Sequence, residues 1–279
     1  MSNPASSLSG KTILMSGGSR GIGLAIALRA ARDGANVALI AKTAEPHPRL
    51  EGTIFTAAEE IEKAGGQALP IVGDVRDDAI VMAAAEQTVA RFGGIDICVN
   101  NASAIDLSST ESISMKRYDL MQDINTRGTF LLSKACIPHL KRAANPHILT
   151  MSPPLSLDPK WFSPFLGYAL SKFGMSMCTL GLAEDLRDDG IAVNSLWPRT
   201  IIATAAVLNL LGGHEAMRRS RRPEIVADAA YAILVRPSRQ TTGNFFLVED
   251  VLAAEGVTDL SAYGFAGPEA DLQTDIFID

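Results

Sequence analysis

The chain has 279 residues, of which 47% are hydrophobic and 20% are charged, as is typical of a globular protein with a large core. Its net charge of −6 argues against a nucleic-acid partner, since such partners require a basic surface. The polar segment 1–10 lacks the apolar core of a signal peptide, and no apolar run approaches ~18 residues, so we expect a cytoplasmic protein without a membrane span. Cys98, Cys136 and Cys178 have no metal or disulfide spacing and are expected to be reduced thiols.

Short apolar strands alternate with helical segments along most of the chain. Strands are predicted at residues 11–16, 36–41, 68–72, 95–100, 147–151, 191–196 and 244–248. Helices are predicted at residues 22–33, 56–64, 79–92, 115–142, 166–187 and 224–234. This alternation predicts an α/β fold, a single Rossmann-type doubly wound parallel sheet with helices on both faces. We expect one domain over residues 11–249, with the polar segment 1–10 before it and an acidic tail, 250–279, after it.

A glycine-rich turn joins the first predicted strand to the first predicted helix. It consists of Ser16, Gly17, Gly18, Ser19, Arg20, Gly21, Ile22 and Gly23. Glycines in this position allow a tight turn and a close approach of the backbone to a pyrophosphate, which the helix N-terminus binds. The turn therefore predicts a dinucleotide cofactor.

The end of the second predicted strand indicates which dinucleotide binds. A carboxylate there would bind the ribose hydroxyls of NAD, but the chain has Lys42 instead. Lys42 and Arg20 are suited to a 2′-phosphate, which favours NADP, although a solvated loop lysine is the alternative. Asp74 and Val75, after the third strand, are expected near the adenine, with a helix N-cap as the alternative for Asp74.

Tyr168 and Lys172 are four residues apart on a predicted helix and therefore share one face. An ammonium group ~4 Å from a phenol lowers the pKa of the phenol by up to about three units, from about 10. Such a tyrosine is suited to general acid–base catalysis.

Several of these motifs together resemble the short-chain dehydrogenase/reductase family over about residues 10–250. The motifs are the turn 16–23, Asp74-Val75, Asn100-Asn101-Ala102, Asn125, and Tyr168 with Lys172. The segments 41–48, 134–138, 152–154 and 197–198 further resemble one group within that family.

The resemblance implies roles for individual residues. Tyr168 would exchange a proton with the substrate oxygen, and Lys172 would lower its pKa and bind the nicotinamide ribose. Asn125 would hold a proton-relay water. Asn101, Ala102 and Pro198 would contact the cofactor, and the protein would be a homotetramer or homodimer.

The chain departs from the family pattern at two places. The family's substrate-binding serine falls on Leu155 or, by alignment of the fifth strand, on Pro153, and neither side chain donates a hydrogen bond. Ser152 is the preferred replacement because it lies at the strand end; Ser156 is the other candidate, and the third possibility is that no serine acts. The family's Pro-Gly pair is here Pro198-Arg199.

The segment after Pro198 is expected to cover the substrate. Residues 201–211 are apolar, and four arginines follow: Arg218, Arg219, Arg221 and Arg222. A solvated helix face explains these arginines, but an apolar lid with a basic rim would also suit a lipid-like or acyl-CoA substrate. The leading hypothesis is NADP-dependent reduction of a carbonyl, or oxidation of the alcohol. The alternatives are an enoyl-CoA reductase and an NADPH sensor with little turnover, and no metal site is expected.

Overall fold

The structure is a computed structural model that describes residues 7–47, 51–266 and 271–279. Parts of three sequence predictions lie outside the described residues. They are residues 1–6 of the polar segment, residues 48–50, which include Pro48 of the group motif, and residues 267–270 of the acidic tail.

The described residues contain a seven-stranded sheet with the strand order β3-β2-β1-β4-β5-β6-β7. The strands are β1 (Thr12–Ser16), β2 (Asn36–Ala41), β3 (Gln67–Val72), β4 (Ile97–Asn100), β5 (His147–Thr150), β6 (Ala192–Trp197) and β7 (Phe245–Leu247). Every neighbouring pair is parallel. This order confirms the predicted Rossmann-type, doubly wound α/β fold.

Nine of the ten α-helices of the described residues lie between these strands in sequence, and the tenth follows β7. They are α1 (Gly21–Ala31), α2 (Ile54–Lys63), α3 (Asp78–Phe92), α4 (Met115–Met121), α5 (Gly128–Leu140), α6 (Leu166–Asp185), α7 (Ala205–Leu210), α8 (Gly213–Arg218), α9 (Glu224–Leu234) and α10 (Val248–Ala254). A π-helical turn, Gln122–Arg127, interrupts the long helix predicted at 115–142. The sequence did not predict α7, α8 and α10, because helices of six or seven residues are too short for a clear apolar period.

Side chains of the central strand alternate between two core layers. Ile13 and Met15 of β1 pack into a layer that includes residues of α1 and α9, whereas Leu14 packs into a layer that includes residues of α3 and α5. Successive side chains of a strand point to opposite faces, so helices cover the sheet on both sides.

The strand order creates a crevice at one end of the sheet, where a ligand could bind. Ser16 of β1 pairs with Asn100 of β4, and Asn100 pairs with Thr150 of β5, so these strands end together. The chain direction across the sheet reverses between β1 and β4, and ligands of such folds bind at this reversal. Among the described residues, no helix is long and apolar enough to cross a membrane, and no cluster of His, Cys, Asp and Glu is arranged to hold a metal ion.

Candidate functional site

The glycine-rich turn is fastened to the loop that follows β4. Gly17 has a φ of +74°, and a Cβ atom there would lie 2.8 Å from the Ala102 Cα atom. The Asn101 side chain donates a hydrogen bond to the Gly17 carbonyl at 2.7 Å. Ser16 Oγ accepts from the backbone N–H groups of Asn101 and Ala102 at 3.3 and 3.2 Å. Only glycine permits this approach, which leaves the N-terminus of α1 open to the crevice.

A cavity of about 770 Å³ lies over this turn. It brings together most of the residues that the sequence predicted to bind a cofactor. Those that line it are Gly17, Ser19, Arg20, Gly21, Ile22, Lys42, Asp74, Val75, Asn101 and Ala102. The other members of the turn, Ser16, Gly18 and Gly23, are not among its lining residues.

The charged groups of this cavity already have protein partners. The Lys42 ammonium lies 3.1 Å from an Asp74 carboxylate oxygen, and its side chain is 59% exposed. The Arg76 guanidinium also binds Asp74, and it holds the pKa of that carboxyl well below its usual range. Arg20 donates to the carbonyls of Glu51 and Gly52 at 3.0 and 2.9 Å.

Asp74 is not the helix N-cap that the sequence allowed. Asp77 caps α3, because its side chain accepts a hydrogen bond from the Ile80 N–H group at 3.1 Å. Asp74 instead accepts from the Arg76 N–H group at 3.1 Å and lines the cavity. Its carboxylate therefore lies beside Lys42, where it competes with any bound anion for that lysine.

A second cavity, of about 180 Å³, contains the predicted catalytic pair. Tyr168, Lys172 and Pro198 line it, together with Met151, Leu196, Trp197, Ile201, Val207 and Asp275. Six residues line both cavities: Ile22, Asn101, Ser103, Ile105, Thr204 and Ala206. The cavity of Tyr168 and Lys172 is therefore continuous with the cavity over the glycine turn.

Lys172 does not bind the Tyr168 hydroxyl in this structure. Its ammonium donates to the Met151 carbonyl at 2.8 Å and lies 4.9 Å from the centre of the Trp197 ring. Burial lowers the pKa of Lys172 to about 7. Burial also raises the pKa of Tyr168 well above its usual value, and the charge of Asp275 acts in the same direction.

The expected lowering of the Tyr168 pKa is therefore wrong for this structure. The spacing put both side chains on one face of α6, but burial raises the pKa of Tyr168, and the ammonium of Lys172 is directed at a backbone carbonyl. A neutral phenol results, which is a proton donor rather than a base.

Asn125 lies in the π-helical turn and is completely buried. Its amide accepts from the Ala104 N–H group at 2.7 Å and donates to the Ala104 carbonyl at 2.9 Å. It also donates to Ser171 Oγ at 2.8 Å. Asn125 therefore fixes the loop after β4 against the residue that precedes Lys172, and it does not line either cavity.

Neither candidate serine is among the residues that line the cavity of Tyr168. Ser152 is completely buried, and its Oγ atom lies 2.8 Å from Ser195 Oγ. Ser156 Oγ accepts from the Asp158 N–H group at 3.2 Å. Leu155 packs into an apolar cluster with Tyr168. A buried hydroxyl requires a hydrogen-bond partner, and Ser195 provides the one for Ser152.

The C-terminal segment 271–279 forms part of the second cavity, which the sequence did not predict. Gln273, Asp275 and Ile276 are held by hydrogen bonds to the loop that follows β6 and to the last residue of that strand. Phe277 then enters a cluster of rings whose centroids lie 5.1–6.2 Å from its own. Its partners are Trp161, Phe165, Tyr168, Phe173 and Trp197. The apolar run Ile276–Ile278 within an acidic tail was the available signal.

The arginine cluster after α7 anchors the C-terminal part of the chain. The guanidinium of Arg219 donates to the Asp271 carbonyl at 2.8 Å. Arg221 donates to the Leu260 carbonyl at 2.8 Å, and Arg222 donates to the Ala262 carbonyl. Three of the four arginines therefore have a structural role. The sequence suggested a solvated helix face or a basic rim around the substrate, and neither interpretation included this role.

Comparisons with known proteins agree with this architecture. The model of the short chain dehydrogenase family matches residues 11–210. Hydroxysteroid dehydrogenase-like protein 2 of Danio rerio is 56% identical over 272 residues, which are 98% of this chain and 65% of that protein. The chain thus spans about 65% of the length of this curated relative, whose group is the one that the sequence motifs indicated.

Two crystal structures are similar over almost the whole chain. A short chain dehydrogenase from Mycobacterium thermoresistibile is 63% identical, with a TM-score of 0.92, and the match covers 98% of this chain and 96% of that one. A protein from Xanthomonas campestris is 53% identical, with a TM-score of 0.95 and coverage of 98% and 99%. Both matches extend across the crevice and both cavities.

Proposed function

Because the chain belongs to the short-chain dehydrogenase family, we propose that it is an NADP-dependent oxidoreductase that reduces a carbonyl group on an apolar substrate, or oxidises the corresponding alcohol. One observation carries this proposal. The cavity that contains Tyr168 and Lys172 shares six lining residues with the cavity over the glycine turn. In this proposal, Tyr168 as the proton donor and the binding site of the dinucleotide therefore lie in one crevice.

The residues of the larger cavity fit a dinucleotide. A Cβ atom on Gly17 would meet the Ala102 backbone, so this glycine keeps the turn tight and open to a pyrophosphate. Lys42 and Arg20 would hold the 2′-phosphate of NADP, and Val75, Asn101 and Ala102 would form the walls. The 2′-phosphate must share Lys42 with Asp74, since these two side chains already form an ion pair.

Tyr168 is suited to deliver a proton to the substrate. When bound, the cofactor supplies the hydride. Tyr168 holds a proton because burial raises its pKa, and it donates that proton to the carbonyl oxygen. Lys172, whose pKa burial lowers to about 7, would bind the nicotinamide ribose of the cofactor.

The walls around Tyr168 support an apolar substrate, lipid-like or an acyl-CoA. Met151, Leu196, Trp197 and Val207 contribute large apolar side chains to the cavity. Ala206 and Val207 of the short helix α7 line this cavity, and Ala206 also lines the larger one. A polar substrate would lose its hydration at these walls without compensation.

Reduction of the double bond of an enoyl-CoA is a second candidate. It is favoured by the position of Ser152, whose hydroxyl lies against Ser195 rather than at the cavity. Without a serine at the substrate, polarisation of a ketone is weakened more than transfer of a hydride to a conjugated double bond.

A panel of substrates separates these functions. Purified protein is given NADPH or NADH together with long-chain ketones, aldehydes or enoyl-CoA thioesters, and oxidation of the cofactor is followed. Oxidation of NADPH with ketones or aldehydes supports the leading proposal, whereas oxidation only with enoyl thioesters supports the second. NADPH binding without turnover on any of them would instead indicate a sensor.

We also propose that the protein is a cytoplasmic homo-oligomer, a dimer or tetramer. Leu170, Met177 and Leu180 of α6 are 42%, 53% and 49% exposed. They lie on one face of the helix, since their spacings of seven and three residues fit the helical period. Phe130 of α5 is also exposed, and a second copy of the chain would cover this apolar surface.

A further inference from the structure

Asp275 brings a carboxyl group into the cavity of Tyr168 and Lys172. Segment 271–279 is the source of this group, and the residues that follow β5 supply no hydroxyl there, because Ser152 bonds Ser195 and Leu155 is apolar. A carboxylic acid can take the place of a hydroxyl, since in its protonated form it donates one strong hydrogen bond.

Backbone hydrogen bonds fix the position of Asp275. Its N–H group donates to the Arg199 carbonyl at 2.9 Å, and the Ile201 N–H group donates to the Gln273 carbonyl at 3.0 Å. On the other side, the Trp197 indole donates to the Ile276 carbonyl at 2.9 Å. Asp275 is thus held between two anchored residues.

Phe277 adds a hydrophobic anchor to these bonds. It is 5% exposed, and its ring stacks on Tyr168 with the centroids 5.9 Å apart. Its φ of 72° is unusual for a residue with a side chain, so the packing must outweigh that strain. The segment that carries Asp275 is therefore built into the catalytic cavity.

The two oxygens of the Asp275 carboxyl have different environments. Oδ1 accepts a hydrogen bond from the Ile276 N–H group at 2.7 Å. Within the part of the chain that the structure describes, Oδ2 has no hydrogen-bond partner, and the residue lines the cavity. One oxygen thus orients the carboxyl and the other remains available to a ligand.

We propose that Asp275, in its acid form, is a catalytic residue that donates a hydrogen bond from Oδ2 to the carbonyl oxygen of the substrate. The proposal rests on the carbonyl reduction proposed above. In that reaction the carbonyl carbon gains a hydride and the oxygen gains the Tyr168 proton. Asp275 keeps its own proton throughout and polarises the carbonyl, so no further reactant is required.

The surrounding charges determine when the acid form exists. Lys172 and Tyr168 face Asp275 from α6, and Glu249 faces it from α10. Burial raises the pKa of Asp275 to about 7; the charge of Lys172 opposes this effect and that of Glu249 adds to it. The donor is consequently present below about pH 7 and is lost as the pH rises through that value.

Binding of acetophenone to the complex with NADP⁺ tests the proposal without turnover, since a ketone and the oxidised cofactor do not react. The affinity is measured at about pH 6 and about pH 8, on either side of the Asp275 pKa. The variants are Asp275→Asn, which keeps an N–H donor at both pH values, and Asp275→Ala. Asp279→Asn is the matched control, because Asp279 is an exposed acid of the same segment.

We expect the unsubstituted protein to lose about three- to tenfold in acetophenone affinity between the two pH values, the range for one hydrogen bond. Asp275→Asn should bind equally at both values, Asp275→Ala weakly at both, and Asp279→Asn like the unsubstituted protein. Affinity for NADP⁺ and the melting temperature show whether each variant is folded.

Three results would overturn the proposal: normal binding by a folded Asp275→Ala variant at the lower pH, an unchanged pH dependence in Asp275→Asn, or no acetophenone binding by the unsubstituted complex. The expected binding pattern without any NADPH-dependent ketone reduction would refute the proposed function alone. The hydrogen bond from Asp275 would then still be supported.

Discussion

Lys42 is the side chain whose removal most directly tests the cofactor preference. We expect NADPH to bind more tightly than NADH, and Lys42→Ala to remove about 1–3 kcal/mol of that difference, the range for a charge-assisted hydrogen bond. We expect a value of about 1 kcal/mol, the lower end of this range, because Lys42 already forms an ion pair with Asp74. Dissociation constants for both cofactors measure the effect.

Lys63→Ala provides a matched control, since Lys63 is an exposed lysine that pairs with Glu59 on α2. It should leave both dissociation constants unchanged. Equal affinities of the unsubstituted protein for NADPH and NADH would show that the 2′-phosphate is not recognised.

Single residues show both the reach and the limit of sequence inference. The spacing of Tyr168 and Lys172 indicated that they share one face of a helix, because helical geometry is local, and both residues line one cavity. The direction of the Lys172 ammonium and of the Ser152 hydroxyl depends on Met151 and Ser195, which belong to other strands or their ends. No local pattern specifies such partners.

The C-terminal segment 271–279 is the element whose position depends most on one side chain. Phe277 contacts five aromatic rings there. In a protein core, removal of a buried phenyl group lowers the free energy of unfolding by about 3–5 kcal/mol. Because Phe277 supplies most of the aromatic contacts of this segment, we expect Phe277→Ala to open the segment locally.

Amide hydrogen exchange measures this opening. Exchange in 271–279 should accelerate by at least about tenfold in Phe277→Ala, whereas exchange in β4 should not change. Phe265→Ala, at a phenylalanine that is 45% exposed, should leave both regions unaffected. Unchanged exchange in the segment would mean that its backbone bonds suffice without the aromatic cluster.

The elements themselves were predictable to different degrees. The strand predicted at residues 36–41 and the helix predicted at 224–234 have the same bounds as β2 and α9, because each is a clear apolar run with defined ends. The return of residues 271–279 to the sheet was missed, since it depends on contacts with Arg199 and Trp197 far away in sequence. Short helices such as α7 were missed because their formation depends on tertiary packing.

For the whole molecule, the proposed assembly predicts a change of mass. Met177→Glu with Leu180→Glu should place charges on the exposed apolar face of α6 and dissociate the oligomer. Sedimentation should give a smaller mass for this variant than for the unsubstituted protein. Met82→Glu, at a methionine of α3 that is 44% exposed, is the control and should keep the original mass. A monomeric unsubstituted protein would contradict the assembly.

The sheet as a whole was the most predictable feature. Continuous apolar runs between helices indicated a parallel sheet, and the glycine turn after the first run placed the cofactor crevice at one end. The second cavity was less predictable, because it is assembled from β6, α6, α7 and the segment 271–279.

The central claim is that Tyr168 donates the proton in an NADPH-dependent carbonyl reduction, and Tyr168→Phe tests it most directly. Turnover of a ketone or aldehyde that the unsubstituted protein reduces should fall by about 10²–10⁴, the range for loss of a general acid. The dissociation constant for NADPH should stay within about twofold, since the phenyl ring and its stacking on Phe277 remain. Near-normal turnover by a folded Tyr168→Phe variant would contradict the claim.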